Sequence, residues 1–323
     1  MELPVALRQA VDRALDGVPV AELARAAERL SRRYRAELRD GRFHIDDDLA
    51  ARAYLATRLP ATFAAIRASL DAVAAARPDF APHSLLDVGS GPGSALWATA
   101  ACWPGIDDAL LVEGSPAIRA WGEKLAAAAT PSRIAWQEAD IAADLPELAP
   151  RDLVTLAYVL DELAPEARGR LVDALWSRTA GVFVIVEPGT PAGSARMLAL
   201  RDRLIAAGAH LIAPCPHAAA CPLPEQDWCH FSRRVARSRL HRLAKAAEVP
   251  WEDEKFAYVA VSRRPPSAPP SQARILAPPR SGSGRIDLKL CTQDGRIEER
   301  RLTRREGEVF RTARRLGWGD ALA

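Results

Sequence analysis

The sequence predicts an α/β fold built on a doubly wound, mostly parallel sheet. From residue 84 onward, short apolar runs alternate with stretches of helical periodicity, the order expected when helices cover both faces of such a sheet. The first apolar run ends in the glycine-rich turn 89–93, and turns of this kind follow the first strand of nucleotide-binding sheets. The chain has 323 residues, of which 49% are hydrophobic, so it is long enough for this domain with substantial additions.

Residues 1–80 are expected to form a helical N-terminal region. Leu7, Val11 and Leu15 recur at helical spacing near its start. A further helix is predicted over 53–76, with a bend or a re-start near Pro60. This region is interpreted as a small helical cap.

The core domain is predicted over 81–205, with a later return of the chain to the same sheet within 246–264. Its candidate strands are 84–89, 108–114, 133–139, 152–158 and 181–189, and the returning strand is 256–264. Helices are expected near 94–102, 116–128 and 165–178.

Three further segments complete the predicted organisation. Residues 206–245 are interpreted as a cysteine-rich insertion followed by a basic helix. Residues 265–284 are rich in Pro and Ser and are predicted to be a linker or an extended surface crossing. Residues 285–323 form a C-terminal extension in which Asp294-Gly295 predicts a β-hairpin, followed by a basic helix.

The glycine-rich turn predicts a binding site for a nucleotide-like ligand. Without side chains, the turn lets a ligand approach the backbone and the N-terminus of the next helix. A carboxylate after the second strand suits ribose hydroxyls, and one after the third strand suits an adenine amino group. The candidate ligand-binding residues are Asp87, Gly89, Gly91, Gly93, Glu113 and Asp140.

The spacing of the glycines indicates which ligand the turn would bind. The third glycine of a dinucleotide-binding fingerprint would fall at Ser94. Asp87 with Gly91-Pro92-Gly93 instead looks like the first motif of class I S-adenosylmethionine-dependent methyltransferases, which favours S-adenosylmethionine over NAD. A purely structural glycine turn is the alternative.

No catalytic signature follows the fourth strand. The Asn-Pro-Pro-Tyr type of sequence that holds an exocyclic amine is absent there, as is a Pro-Cys pair. Asp161 and Glu162 are the candidates for a general base. The favoured reading is that they cap or begin the next helix.

Four cysteines form the most distinctive feature of the chain. Cys215, Cys221 and Cys229 lie within fifteen residues, and Cys291 follows far downstream. Four thiolates suit a tetrahedral zinc or an iron–sulfur cluster, with His217 and His230 as possible alternate ligands. Buried free thiols are the other reading.

A basic stripe follows the third cysteine. Residues 228–245 contain six Lys or Arg residues and no acid, next to two aromatic side chains. Such a stripe is either a solvated helix face or an RNA-binding surface. The candidate RNA-binding residues are Arg233, Arg234, Arg237, Arg239, Arg242 and Lys245.

Nothing in the sequence indicates a membrane span or export. There is no apolar run of about twenty residues, and the first residues lack the basic-then-apolar order of a secretory signal. A cytoplasmic location is therefore expected, in a compartment where thiols stay reduced. A monomer is also expected. The net charge of +3 does not by itself select a partner.

Three segments together resemble one known family. These are 187–204, the cysteine block 213–238 and 252–263, and the segments 288–297 and 317–322 add to the likeness. The chain resembles the family of ribosomal small-subunit protein 22 and mitochondrial methyltransferase-like protein 17. The resemblance implies a class I methyltransferase fold, S-adenosylmethionine at the glycine turn and action on small-subunit rRNA. It also implies a [4Fe–4S] cluster on Cys215, Cys221, Cys229 and Cys291.

The function expected from the resemblance is that of a methyltransferase-like factor in ribosome assembly and translation. In this reading the protein binds rRNA of the small subunit precursor, and the cluster ties the insertion to the C-terminal tail. An active rRNA methyltransferase is the first alternative, and a structural zinc protein that binds RNA is the second.

Overall fold

The computed structural model describes residues 1–38, 40–141, 145–268 and 271–322. Within these residues an eight-stranded mixed sheet lies between two layers of helices, and a separate five-stranded sheet lies near the C-terminus. The helices that precede the large sheet are α1 Val5–Leu15, α2 Val20–Arg35, α3 Asp48–Thr57 and α4 Leu59–Ala76. Pro60 occupies the first turn of α4, where its missing N–H costs nothing, so the re-start near Pro60 is confirmed.

The elements of the large sheet follow in chain order. They are β1 Ser84–Val88, α5 Ser94–Cys102, β2 Asp108–Val112, α6 Pro116–Ala126, β3 Arg133–Gln137, β4 Arg151–Ala157, α7 Pro165–Ser177 and β5 Thr179–Pro188. The chain continues through α8 Pro191–Ala206, β6 His210–Ala213, β7 Phe231–Ala236, α9 Arg239–Ala244 and β8 Trp251–Ser262. The five predicted core strands and the returning strand are all present.

The strand order assigns the fold. The sheet runs β3-β2-β1-β4-β5-β8-β6, with β7 paired to β8. Strands β1 to β5 are parallel, while β8 is antiparallel to β5 and to β6. This is the Rossmann-like sheet of class I methyltransferases, as the sequence predicted. The order reverses between β1 and β4, and such a switch point opens a crevice at the carboxyl ends of the strands.

Two apolar clusters hold the sheet between its helices. One joins α1 to α5 with one sheet face, and the other joins α7 and α8 with the opposite face. Helix α4 is long and apolar enough to cross a membrane by length and composition alone, but 61% of that stretch is buried inside the protein. It packs against α5, β7 and β8, so the N-terminal region belongs to the core instead of capping it from outside.

The C-terminal residues form their own small sheet. Its elements are β9 Ala273–Ile275, β10 Arg280–Gly282, β11 Arg285–Thr292, β12 Ile297–Thr303, a 3₁₀ turn Arg304–Glu306, α10 Glu308–Ala313 and β13 Ala321–Leu322. The predicted hairpin is confirmed: β11 and β12 pair with Cys291 opposite Ile297, and Gly295 in the turn has φ of 78°. Leu288, Leu290 and Phe310 belong to a separate apolar cluster under this sheet.

Two predicted segments differ from the structure. The region 265–284 is not only a linker, because β9 and β10 within it hydrogen-bond to β11. The predicted basic helix is mostly strand: Phe231–Ala236 is β7, and only Arg239–Ala244 is helical. Phe231 and Val235 alternate with more exposed residues and are buried, and that period of two fits a strand paired along β8.

Candidate functional site

A cavity of about 370 Å³ opens at the switch point between β1 and β4. This volume lies in the range of small-molecule sites in proteins. The cavity is lined by the glycine turn after β1, by the carboxyl ends of β2 and β4 and by N-terminal residues. Five of the six predicted ligand-binding residues line it, namely Asp87, Gly89, Gly91, Glu113 and Asp140.

The glycine turn has a backbone that favours glycine at three positions. Gly89, Gly91 and Gly93 have φ of 65°, 54° and 83°, in the left-handed region that L side chains rarely adopt. A Cβ on Gly89 would lie 2.3 Å from Cγ2 of Val159, whereas a Cβ on Gly91 would meet no atom within 4 Å. Gly91 therefore faces open space, and Gly93 lies behind the turn as the residue that precedes α5.

Glu113 is fixed by the backbone at the end of β2. Its Oε2 accepts a 2.8 Å hydrogen bond from the Gly91 amide, and its Oε1 accepts one of 2.8 Å from the Ser115 amide. Burial raises the pKa of Glu113, and these two amides act in the opposite direction. Each carboxylate oxygen retains a further lone pair, so the group can still accept two hydroxyl protons.

Asp87 lies at the end of β1 and is almost fully buried. Its Oδ1 accepts a 2.7 Å hydrogen bond from the Thr155 hydroxyl, while its Oδ2 is buried and has no hydrogen-bond partner among the described residues. Burial raises the pKa of Asp87 to about 7. The site thus holds an acidic group whose second oxygen is available to a donor.

Asp161 and Glu162 do not cap the helix that follows. That helix begins at Pro165, and its capping residue Ala164 makes no side-chain cap, so the favoured helix-capping interpretation is wrong. Glu162 lines the cavity while Asp161 is buried beside it. Burial, together with the charges of Asp161 and Glu113, raises the pKa of Glu162 to about 8.

One residue beside the cavity and one that lines it were missed in the sequence. Glu187, at the end of β5, is fully buried and accepts hydrogen bonds from the amides of Val159 and Leu160 at 3.2 and 3.1 Å. Burial and the charge of Asp161 raise its pKa to about 8, although Nε of Arg196 at 3.1 Å and the two amides act in the opposite direction. The available signal was an acid closing a buried apolar run, the same signal that identified Glu113.

Tyr158 is the second missed residue. It follows β4 with φ of 59°, a conformation that is costly for an aromatic residue and that clusters at functional sites. Its ring lines the cavity, and its hydroxyl donates a 2.9 Å hydrogen bond to Glu254, which lies 3.6 Å from Arg58. The segment after the fourth strand therefore presents a fixed phenol ring to the cavity.

The N-terminal region forms one wall of the cavity. Tyr34, His44 and Tyr54 line it, and Tyr34 packs on His44 with ring centroids 4.8 Å apart. The Ser115 hydroxyl donates a 2.6 Å hydrogen bond to the Ile45 carbonyl. This contact fastens the N-terminal segment directly behind Glu113.

The four cysteines, predicted as metal ligands, are brought into one neighbourhood. Charges on Cys215, Cys221 and Cys291 all raise the pKa of Cys229, after the larger effect of its burial. Burial and the charges of Cys215 and Cys221 likewise raise the pKa of Cys291 to about 12. Four neighbouring thiolates would repel one another, and this repulsion adds to the effect of burial on the pKa values of Cys229 and Cys291.

Two arginines border these thiols. Arg201 of α8 is buried and donates hydrogen bonds to the carbonyls of His217 and Ala219 at 2.9 and 2.7 Å. Arg274 of β9 donates to the Pro214 carbonyl at 2.7 Å. Both guanidinium groups lower the pKa of Cys215, against the larger effect of its burial.

Four cysteine side chains suit either a zinc ion or an iron–sulfur cluster. Within the described ranges, however, no three His, Cys, Asp or Glu side chains are grouped so as to hold a metal ion. A cluster bound by four thiolates is anionic, and the buried Nε of Arg201 has no hydrogen-bond partner in the described part of the chain. His217 approaches the site, with Nε2 3.4 Å from Sγ of Cys291, whereas His230 stacks on Trp228.

Three of the six cations of the predicted basic stripe are paired with acids of β8. Arg237 and Lys245 lie 3.0 and 3.4 Å from Glu252, and Arg234 lies 2.9 Å from Asp253. Of the other predicted RNA-binding residues, Arg233 lines a second cavity of about 320 Å³ beside Cys215. Arg239 and Arg242 on α9 are exposed and form no ion pair with any described residue.

Comparisons with known proteins agree with the resemblance seen in the sequence. The family model described as mitochondrial small ribosomal subunit Rsm22 matches residues 48–323. The human ribosome assembly protein METTL17, mitochondrial, is 29% identical over 286 residues, covering 83% of this chain and 61% of the relative. Rsm22-cox11 tandem protein 2, mitochondrial, from Schizosaccharomyces pombe is 23% identical over 191 residues, covering 46% of this chain and 25% of that relative.

Among solved structures, an O-methyltransferase family protein from Burkholderia thailandensis matches with a TM-score of 0.45 and 14% identity, covering 77% of this chain and 72% of that one. The fold assignment rests on the strand order and not on this likeness. The chain spans less than two thirds of the length of the curated relatives above. The expected cytoplasmic location is wrong by this comparison, because the family and these relatives are all named mitochondrial.

Proposed function

The chain belongs to the family described as mitochondrial small ribosomal subunit Rsm22, and from this membership we propose that it is a methyltransferase-like assembly factor of the small ribosomal subunit. In this proposal it binds S-adenosylmethionine at the glycine turn, holds a [4Fe–4S] cluster on its cysteines and contacts rRNA. The observation that carries the proposal is the acid-lined cavity at the switch point, where Glu113 is fixed by the Gly91 amide.

The cavity suits S-adenosylmethionine by charge and by hydrogen bonding. Glu113 would accept the ribose hydroxyl protons, and Asp140 lies at the same cavity to receive an adenine amino group. S-adenosylmethionine carries a sulfonium and an ammonium group, and the nearby Asp87 and Glu162 give the cavity an acidic lining. Gly91 leaves the backbone open to a ligand.

The cysteines would hold the cluster between the core and the C-terminal sheet. Cys215, Cys221 and Cys229 belong to the insertion between β6 and β7, whereas Cys291 belongs to β11. When bound, the cluster supplies cross-linking of these segments, and metal binding of this kind contributes folding free energy. Arg201 and Arg274 would offset its negative charge while their donors hold the ligand loop.

An active rRNA methyltransferase is the second candidate, and one observation favours it. Glu162 lies at the same cavity, and its pKa of about 8 would let it exchange a proton with a bound substrate in the neutral to mildly alkaline range. Against it, the segment after β4 presents Tyr158, whose hydroxyl is already bonded to Glu254. The assembly role therefore has the stronger support.

Two measurements test the proposal. In anaerobically purified protein, iron, sulfide and zinc are determined with an absorption spectrum, and about four irons and four sulfides per chain are expected. One zinc per chain without sulfide would show that the cysteines hold a structural zinc ion instead of a cluster. Incubation of the protein with S-adenosylmethionine labelled in its methyl group and small-subunit rRNA should give no label in the RNA. Label that Gly91→Val abolishes would establish the enzyme instead.

A further inference from the structure

The outer face of the C-terminal sheet carries an arginine cluster that no part of the site above uses. Between residues 273 and 322 the chain has twelve Lys or Arg and seven Asp or Glu residues. Antiparallel pairing aligns Arg280, Asp287 and Arg301 in one row, and Gly282, Arg285 and Thr303 in the next. Directly opposed residues share a face, so arginines of three adjacent strands lie side by side around a shallow cavity of about 530 Å³.

Two glycines determine how these arginines lie. A Cβ on Gly282 would fall 3.1 Å from Nε of Arg285, and a Cβ on Gly284 would fall 3.4 Å from Nε of Arg304. Both guanidinium groups thus lie across bare backbone at the β10–β11 turn. Arg285 and Arg304 are exposed, and neither forms an ion pair with a described residue.

The acidic residues of the face do not neutralise its arginines. Arg301 lies 2.5 Å from Asp287, and Arg280 lies 3.9 Å from Glu299, with both members of the latter pair more than 70% exposed. Exposed pairs of this kind contribute little and exchange readily for another anion. The face therefore retains an excess of positive charge at Arg285 and Arg304.

From this geometry we infer that the β10–β12 face, defined by Arg280, Arg285, Arg301 and Arg304, binds the phosphate backbone of RNA. Guanidinium groups match phosphate oxygens in pairs. Among the described residues that line the cavity, Leu288 is the one large apolar side chain, and it is buried, so the face lacks the exposed apolar or aromatic centre of a protein–protein interface. This inference rests on the proposed rRNA contact and assigns that contact to a surface other than the basic stripe 228–245.

The test is the salt dependence of binding to in vitro transcribed small-subunit rRNA. The double variant Arg285→Gln/Arg304→Gln should bind roughly ten-fold more weakly, and its slope of log K against log salt should be smaller by about two. Gly282→Ala keeps every charge but displaces Arg285, so it should lose part of the same affinity. Thermal unfolding by circular dichroism checks that each variant is folded.

The matched control is Arg13→Gln/Arg25→Gln, which removes the same charge from exposed positions on α1 and α2. It should retain the wild-type slope. If both double variants lost the same affinity for rRNA, the effect would depend only on net charge and the inference would be overturned. An unchanged salt slope in Arg285→Gln/Arg304→Gln would also overturn it. If wild-type protein bound polyglutamate as tightly as rRNA, the face would be a site for acidic protein. If wild-type protein did not bind rRNA at all, the proposed rRNA contact itself would fail.

Discussion

The amide of Gly91 donates a 2.8 Å hydrogen bond to Oε2 of Glu113, which joins the turn after β1 to the end of β2. Strands β1 and β2 are parallel neighbours in the sheet, so the bond links the chain beyond their carboxyl ends at the edge of the cavity. Ser115 holds the other oxygen at 2.8 Å. The carboxylate is therefore oriented before any ligand arrives, which lowers the entropic cost of binding.

The first prediction concerns this carboxylate. Glu113→Ala should weaken S-adenosylmethionine binding at least ten-fold, about 1.4 kcal/mol or more, because the variant loses charge-assisted hydrogen bonds to the ribose. Isothermal titration calorimetry measures the affinity. Glu123→Ala, on the exposed side of α6, is the control and should bind like wild type. Equal affinity in both variants would remove Glu113 from the ligand site.

The second prediction concerns Asp87 and pH. Its pKa in the folded protein is about 7, against 3.8 as the ordinary value, so the folded state binds the proton more tightly than the unfolded state. Folding stability is therefore lost as pH rises from about 4 to about 7. Asp87→Asn keeps an acceptor for the Thr155 hydroxyl. Because an amide does not ionise in this range, the variant should not lose folding stability in this way as pH rises.

Relative to wild type, Asp87→Asn should thus gain about 2–4 kcal/mol of unfolding free energy between pH 4 and pH 8. Urea unfolding at several pH values measures the difference. Asp107→Asn, at a loop position before β2, should follow the wild-type curve. A constant difference between Asp87→Asn and wild type across this pH range would show that Asp87 ionises normally.

The core of the fold was predictable because each strand is a separate apolar run. In β4 and β5 nearly every residue is buried, for example Val154 and Phe183 at 0% exposure, so the pattern carries its own signal. Glu113 was predictable for the same reason, because its place at the end of such a run fixes where it lies. Its hydrogen bond with Gly91 was not, since it depends on the β1–β2 register.

The ion pairs that neutralise part of the basic stripe could not be predicted from the sequence. Arg237 and Glu252 are fifteen residues apart, and only the pairing of β7 with β8 brings them to 3.0 Å. The period of two at Phe231, Arg233 and Val235 covers only one short segment, so the sequence did not distinguish a strand from a helix there. The site of Glu187 was missed because its partners, the Val159 and Leu160 amides, belong to a distant loop.

The third prediction separates the cysteines. Cys229→Ser should lose most of the iron and sulfide of the anaerobically purified protein, because the variant removes one of four proposed thiolate ligands. Cys102→Ser is the control: Cys102 lies in α5, with Sγ 3.9 Å from Asp71, and this variant should keep about four irons. Iron and sulfide assays on the two proteins decide the matter. Equal metal content in both would exclude Cys229 as a ligand.

The fourth prediction distinguishes structural from RNA-facing arginines on the basic stripe. Burial acts to raise the pKa of Glu252, but His241, Lys245 and Arg237 together lower it to about 2. The carboxylate therefore stabilises the fold at pH values above its ordinary pKa of 4.5, and this contribution is lost as pH falls toward 2. Arg237 shares that role through its 3.0 Å contact.

Arg237→Gln should accordingly lower the free energy of unfolding at pH 7 by about 1–2 kcal/mol, because Glu252 loses one of its cationic partners and part of the contact is screened by solvent. Arg239→Gln should leave stability within about 0.5 kcal/mol of wild type, because Arg239 is exposed and makes no ion pair within the described residues. Urea unfolding and rRNA binding are measured on both variants. If Arg237→Gln were as stable as wild type yet bound rRNA more weakly, Arg237 would be a phosphate contact, and its ion pair with Glu252 would give way when RNA binds.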